Sequence, residues 1–220
     1  MKRTVLAFAL LCVTGAANAG LSFSTLSAGV VRTEAFNTDN AAVTAALGGL
    51  GAVAVGSTLN LGYLQTDQAG TVSYSYLGQE SGYTDRFYKL STDSVPALVE
   101  ANAFYTTASL ATGTGKLDFK FEGDTGRFAK NNVSSMAEWA SGTSIGLLGT
   151  NLTIGGNTYQ YVIGYNDSAG AATLGDWDDF VIGVNLSTVT PVPEPGTHAM
   201  LLGGLALLGL AGRRRMRPAA

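Results

Sequence analysis

Apolar and polar residues alternate singly along much of the chain. In Thr71-Val-Ser-Tyr-Ser-Tyr76, Val72, Tyr74 and Tyr76 share one face while Thr71, Ser73 and Ser75 share the other, the period of a half-buried strand. Lys116 to Glu122 repeats the pattern, with Leu117, Phe119 and Phe121 directed to a core and Asp118, Lys120 and Glu122 to water. Tyr159, Tyr161, Ile163 and Tyr165 define the apolar face of a third run, and Phe180, Ile182, Val184 and Leu186 that of a fourth. Turn-forming stretches follow or separate these runs: Gly123-Asp-Thr-Gly126, Gly155-Gly-Asn157 and Asn166-Asp-Ser-Ala-Gly170. Such short segments joined by Gly- and Asn-rich turns predict an antiparallel β-sandwich or jelly roll. Helix is a minor element. Asp39 to Leu47, with Asp39 or Asn40 as N-cap, and Asn132 to Ala140 are the two short helices expected. No repeat of fixed period is present, and Ser187 to Pro195 reads as a linker.

The two ends follow a different pattern. Lys2 and Arg3 precede an apolar stretch from Val5 to Val13, and Ala17-Asn18-Ala19 offers a small-x-small cleavage site. That order predicts a signal peptide over residues 1–19 and a mature chain starting near Gly20. At the other end Pro191-Val-Pro-Glu-Pro195 leads to an apolar run and then to Arg213, Arg214, Arg215 and Arg217. A helix over about 197–212 would reach roughly 24 Å, somewhat less than a hydrocarbon core of about 30 Å, and the flanking arginines can snorkel across the difference. The arginine cluster holds the C-terminus in the cytoplasm and leaves Val192, Pro193, Glu194 and Pro195 on the outer side. The prolines flanking Glu194 keep that backbone extended and open to an enzyme. Three regions result: 1–19, a β-rich domain over 20–187, and a tail over 188–220.

Separating the ends changes the charge balance. The whole chain of 220 residues has a formal net charge of −3. From Gly20 to Val192, seven basic residues stand against fifteen acidic ones, a balance of −8. An acidic exported domain argues against nucleic acid and anionic membrane surfaces as its partners. About 170 residues make one ordinary domain with its own core. Cys12 and His198, the single cysteine and histidine, both lie in the terminal segments, so the domain has no disulfide, no Ser-His-Asp or Cys-His nucleophile and no usual zinc ligand set.

The chemistry left is that of carboxylates and aromatics. Asp167, Asp176, Asp178 and Asp179 lie within thirteen positions around a turn, and their hard oxygens suit Ca²⁺. The alternative is that they end strands and accept backbone hydrogen bonds. The EF-hand spacing is missing. A glycosidase pair could be drawn from Glu80, Asp85, Glu100, Glu122 and Glu138, while Tyr83, Phe87, Tyr88, Trp139 and Trp177 could stack on sugar rings, with Trp177 expected near the surface. No regular Thr-x-Thr array supports ice binding.

The tail, with its Val-Pro-Glu-Pro motif, short apolar segment and arginine cluster, resembles the PEP-CTERM signal of Gram-negative bacteria. That resemblance implies processing by a membrane-embedded exosortase. Tyr74 to Thr84 and Gly175 to Ile182 are similar to segments of uncharacterised surface domains that carry the same tail, which implies a fold and a location but no reaction. The expectation is therefore an exported structural or adhesive surface protein, not an enzyme. Its expected partners are the Sec export machinery, an exosortase, the inner membrane as a transient anchor, and extracellular polysaccharide. No cofactor beyond calcium is implied. A carbohydrate-binding module, a glycosidase and an ice-binding protein are the alternatives.

Overall fold

The computed structural model describes residues 20–34, 36, 40–49, 53–124, 126–167, 175–188 and 202–208. In chain order the elements are β1 (Leu21–Val31), α1 (Ala41–Ala46), β2 (Thr58–Thr66), β3 (Gly70–Gly78), β4 (Arg86–Tyr88), β5 (Leu98–Val99), β6 (Thr107–Thr112), β7 (Gly115–Lys116), β8 (Lys120–Glu122), β9 (Phe128–Lys130), a 3-10 turn (Met136–Glu138), β10 (Ser144–Ile154), β11 (Asn157–Asn166) and β12 (Phe180–Thr188). The larger sheet runs β1-β2-β10-β11-β12-β3-β6, with β7 paired to β2, and the smaller runs β5-β4-β8-β9. Every recorded pairing is antiparallel. The domain is mainly β and sandwich-like, as the alternation predicts.

The main core lies between the two sheets. Tyr74 of β3, Phe121 of β8, Ile163 and Tyr165 of β11 and Phe180 of β12 join Phe87 and Phe119 there. Ring centroids approach to 4.7 Å for Tyr74 and Phe87 and 5.1 Å for Phe121 and Tyr165, the latter pair stacked. Aromatic pairs at such spacing add to the burial of their surface. A second cluster covers the opposite face of the large sheet, where Val43 of α1 packs with Phe36, Val53, Tyr159, Val162 and Val181. Both faces of β11 and β12 are thus buried. Tyr159 belongs to the second cluster, not with Ile163 and Tyr165, because Gly183 leaves a space that its ring fills; a Cβ on Gly183 would overlap that ring.

Three local expectations change. Leu117, Phe119 and Phe121 all point inward, but their segment is split between β7 and β8. The fully buried Asn131 holds the gap together: its Oδ1 accepts from Leu64 N at 2.7 Å, and its Nδ2 donates to Leu64 O and Leu117 O, each at 2.7 Å. Within Asn132–Ala140 only the 3-10 turn forms. Glu138 Oε1 accepts from the backbone N–H groups of Ser134 and Ser135, and the chain turns extended at Trp139, whose Nε1 donates to Lys130 O at 2.7 Å. Asn40 does precede α1, yet its side chain makes no capping bond; it is committed to Asp178.

Residues 189–220 form a separate unit, in which a helix covers 202–208. Leu202, Leu205, Leu207 and Leu208 are all exposed on it. Among the described residues no helix is long and apolar enough to cross a membrane. The other residues of the expected span at about 197–212 lie outside the described ones. So do the signal-peptide residues Ala17 and Ala19, the motif Val192, Pro193, Glu194 and Pro195, and the stop residues Arg213, Arg214, Arg215 and Arg217.

Candidate functional site

Antiparallel pairing gathers distant acidic residues at one end of the sandwich. Gly78 pairs with Val181, so continuing the β3–β12 register by two residues sets Glu80 opposite Asp179. Tyr165 pairs with Phe180, which brings Asp167 to the same place from the end of β11. In the smaller sheet Arg86 pairs with both Glu122 and Val99. Asp85, Gly123 and Glu100 follow at that same end.

Carboxylate oxygens of Glu80, Asp176 and Asp179 lie within 4.8 Å of one another. Asp179 is buried and its Oδ2 accepts from Asp167 N at 2.8 Å. Asp167 is also buried and accepts from the Ser81 hydroxyl at 2.5 Å. Asp85 is fully buried, and neither carboxylate oxygen has a hydrogen-bond donor. The Ser81 hydroxyl lies close enough to favour its ionised form slightly, but the single Ser81 proton is directed to Asp167. A Cβ on Gly123 would lie 2.9 Å from Asp85 Oδ1 and 4.0 Å from Asp167 Cβ. Both side chains therefore rest over that glycine.

Burial and mutual repulsion favour the protonated form of Asp85, Asp176 and Asp179. Asp85 is pushed up to about 8, first by loss of water and then by the charges of Asp167 and Glu100. Asp176 rises to about 8 through burial and its close contact with Asp178. Asp179 rises through burial, with Asp167 and Asp176 adding to the effect. Glu100 rises through burial, and Glu34 chiefly through the charge of Asp176. Arg32 flanks the cluster. Its guanidinium carbon lies 4.4 Å from the Phe36 ring centre and 5.5 Å from that of Trp177, while its Nε and Nη1 are buried without hydrogen-bond partners. Burial lowers the Arg32 pKa, and the charges of Asp178 and Asp176 oppose that shift.

The four aspartates singled out in the sequence do converge, but in different roles. Asp178 is fully buried and its Oδ2 accepts from Asn40 Nδ2 at 3.2 Å, whereas Glu80 joins Asp176 and Asp179. Asp176, Asp178 and Asp179 precede β12, which begins only at Phe180. Backbone acceptance, the alternative expected for these residues, is what Asp179 performs. Of the other carboxylates, Glu122 pairs with Lys120 at 2.6 Å and Glu138 holds the 3-10 turn.

The aromatic platform does not form. Phe87, Tyr88, Trp139 and Trp177 are buried. Trp177, expected near the surface, is fully buried and its Nε1 donates to Ser144 Oγ at 3.0 Å. Its place is made by the cross-strand pair Gly146 and Gly164. A Cβ on Gly164 would collide with Trp177 O, and one on Gly146 would lie 2.8 Å from the indole. Two glycines facing each other across a hairpin were the available signal.

Among curated proteins there is no match to the chain. Among solved structures, the C-terminal domain of the BC2L-C lectin from Burkholderia cenocepacia aligns with 56% of this chain and 91% of its own, at 16% identity and a TM-score of 0.29. Over the tail, residues 191–215 match the family model of the PEP-CTERM protein-sorting motif. The chain thus carries a PEP-CTERM sorting motif behind a β-rich domain.

Proposed function

We propose that this chain is the precursor of a surface protein. It is exported on its N-terminal segment, held in the inner membrane by its tail, and cut by an exosortase at or near Val192 to Pro195. The released domain serves as a structural or adhesive component of the cell surface or matrix, and the protein is the substrate of processing, not a catalyst. The observation that carries this reading is the sorting motif at 191–215, which begins just beyond the last residue of β12, Thr188.

The start of the domain supports the same scheme. β1 begins at Leu21, and Gly20 N donates to Asp67 Oδ1 at 2.8 Å. Cleavage after Ala19 would turn that amide into an ammonium beside a carboxylate, and the new charge would strengthen the bond. Exposed leucines on the 202–208 helix fit a lipid-facing segment.

Intact mass and membrane fractionation in the native host, with and without Glu194→Ala, test the proposal. The expected product starts near Gly20 and lacks the last twenty-odd residues, and it is lost in the variant. A wild-type protein that retains its whole tail in the membrane fraction would overturn exosortase processing.

A further inference from the structure

We propose that Phe104 and Tyr105, in the turn that leads into β6, form a stacking site for the sugar rings of an uncharged polysaccharide. They are adjacent aromatics at the surface, with 55% of Phe104 and 37% of Tyr105 exposed, and their ring centres lie 6.4 Å apart at 50°. Phe104 is held from behind. Its ring stacks at 7° on that of Tyr76, with 5.9 Å between centres, and Tyr76 is itself buried against Phe180. Tyr105 is held by its backbone. Its φ is +68°, a left-handed conformation that a bulky side chain adopts only under constraint. Tyr105 N donates to Tyr76 O at 2.8 Å, Thr107 Oγ1 donates to Tyr105 O at 3.1 Å, and the tyrosine hydroxyl rests over Gly155, where a Cβ would overlap it. Glycine would meet the same turn without strain, so the ring occupies this position despite a backbone cost. Large rings fixed in this way lose little freedom on binding, which makes them effective anchors.

The surroundings select the ligand. No charged residue occurs from Gln68 to Gln79, from Ala101 to Gly115 or from Ala140 to Asn166, the segments that carry β3, β6 and the β10–β11 hairpin beneath Tyr105, although the domain as a whole is acidic. A charged polymer finds no counter-charge there, and an acidic domain repels an anionic membrane. A pyranose ring is neutral and two-sided. Its C–H bonds give a flat apolar face that the negative face of an aromatic ring attracts, while its hydroxyls project from the rim. Hydroxyls also continue from the aromatic pair along β6 and β3, where Thr107 Oγ1 lies 2.9 Å from Ser75 Oγ and Ser109 is paired with Ser73. Each can donate to or accept from the rim of a further sugar unit. The site gives a partner to the adhesive role proposed above, and it rests on that reading of the domain.

The test is native affinity electrophoresis of the full chain in a polyoxyethylene detergent, which carries no sugar, through gels containing galactomannan, hydroxyethylcellulose or, as a charged comparison, alginate. Retardation by at least one neutral polymer and not by alginate is expected. Tyr105→Gly removes the ring and the strain together. It should weaken binding about tenfold or more while Tm changes by less than about 3 °C, because relief of the left-handed backbone offsets the lost packing. Phe104→Ala should weaken binding as much, and Phe104→Trp should retain it. Met136→Ala, in the 3-10 turn, should change nothing. Absence of retardation of the wild type by either neutral polymer overturns the site, as does retardation that survives Tyr105→Gly unweakened or that alginate matches. No retardation together with a concentration-dependent dimer that Phe104→Ala dissociates would mean that the pair joins two copies of the chain instead. If Phe104→Ala does not fold, Tyr105→Gly still decides. None of these readouts depends on tail processing, so this site and the sorting scheme fail separately.

Discussion

Replacing Asp85 by Asn removes one ionisable group from a fully buried position while nearly keeping its shape. In the folded chain its pKa is about 8, against 3.8 for an unperturbed aspartate. A group whose pKa is raised by folding contributes stability that is fully present below the unfolded value and is lost as pH rises through the folded one. The window is therefore pH 4 to 8, and within it the loss approaches about 1.4 kcal/mol per pH unit. Between pH 5.0 and 7.5 the wild type should lose about 3 kcal/mol on account of this residue alone. The asparagine of the variant carries no such slope, and its amide can donate to Asp167. Urea unfolding of chelator-treated wild type and Asp85→Asn at both pH values measures the difference. The variant's stability relative to wild type should improve by about 3 kcal/mol on going from pH 5.0 to 7.5. A variant destabilised equally at both values would refute the reasoning, because it would mean that Asp85 is ionised and paired in the native state.

Other outcomes follow from the same geometry. Asn131→Ala leaves Leu64 N–H and Leu117 O without the partners recorded for them. At about 1–3 kcal/mol for each orphaned group, unfolding should show a loss of roughly 4 kcal/mol, and a loss under about 1 kcal/mol would mean that the bracket is dispensable. Changing Arg213, Arg214 and Arg215 together to Glu should disturb orientation and sorting in host fractionation while the circular dichroism of the β-domain stays unchanged; unaltered processing would show that these arginines are not the stop signal.

The parts of the fold legible in the sequence were those governed by local alternation. Val72, Tyr74 and Tyr76 are buried as their period predicts, because one face of β3 meets the smaller sheet. The inward set Leu117, Phe119 and Phe121 was equally clear, but the strand break was not, since Asn131 replaces ladder bonds by side-chain bonds. Trp177 was misplaced because its acidic neighbours suggest a surface, whereas the notch that buries it is formed by Gly146 and Gly164, about 31 and 13 residues earlier in the chain. The acidic site was half legible. Three aspartates close in sequence mark it, but Glu80 reaches it only through the pairing of β3 with β12, and that register is a tertiary fact with no local signal. Asp178 left the candidate set for the same reason: Asn40, 138 positions away, claims its oxygen.

The position of β12 also has a mechanical meaning. Thr188, the last residue of the domain, is still paired with Gly70, and its strand is bonded to β3 on one side and β11 on the other. Tension applied to Thr188 along the axis of β12 would act across hydrogen bonds that run perpendicular to the strand. Pulling would load both ladders in shear, so that many bonds must yield together, whereas an edge strand pulled sideways would peel one pair at a time. The described domain thus ends on an inner strand bonded along both edges, a placement suited to bearing load at its C-terminal end.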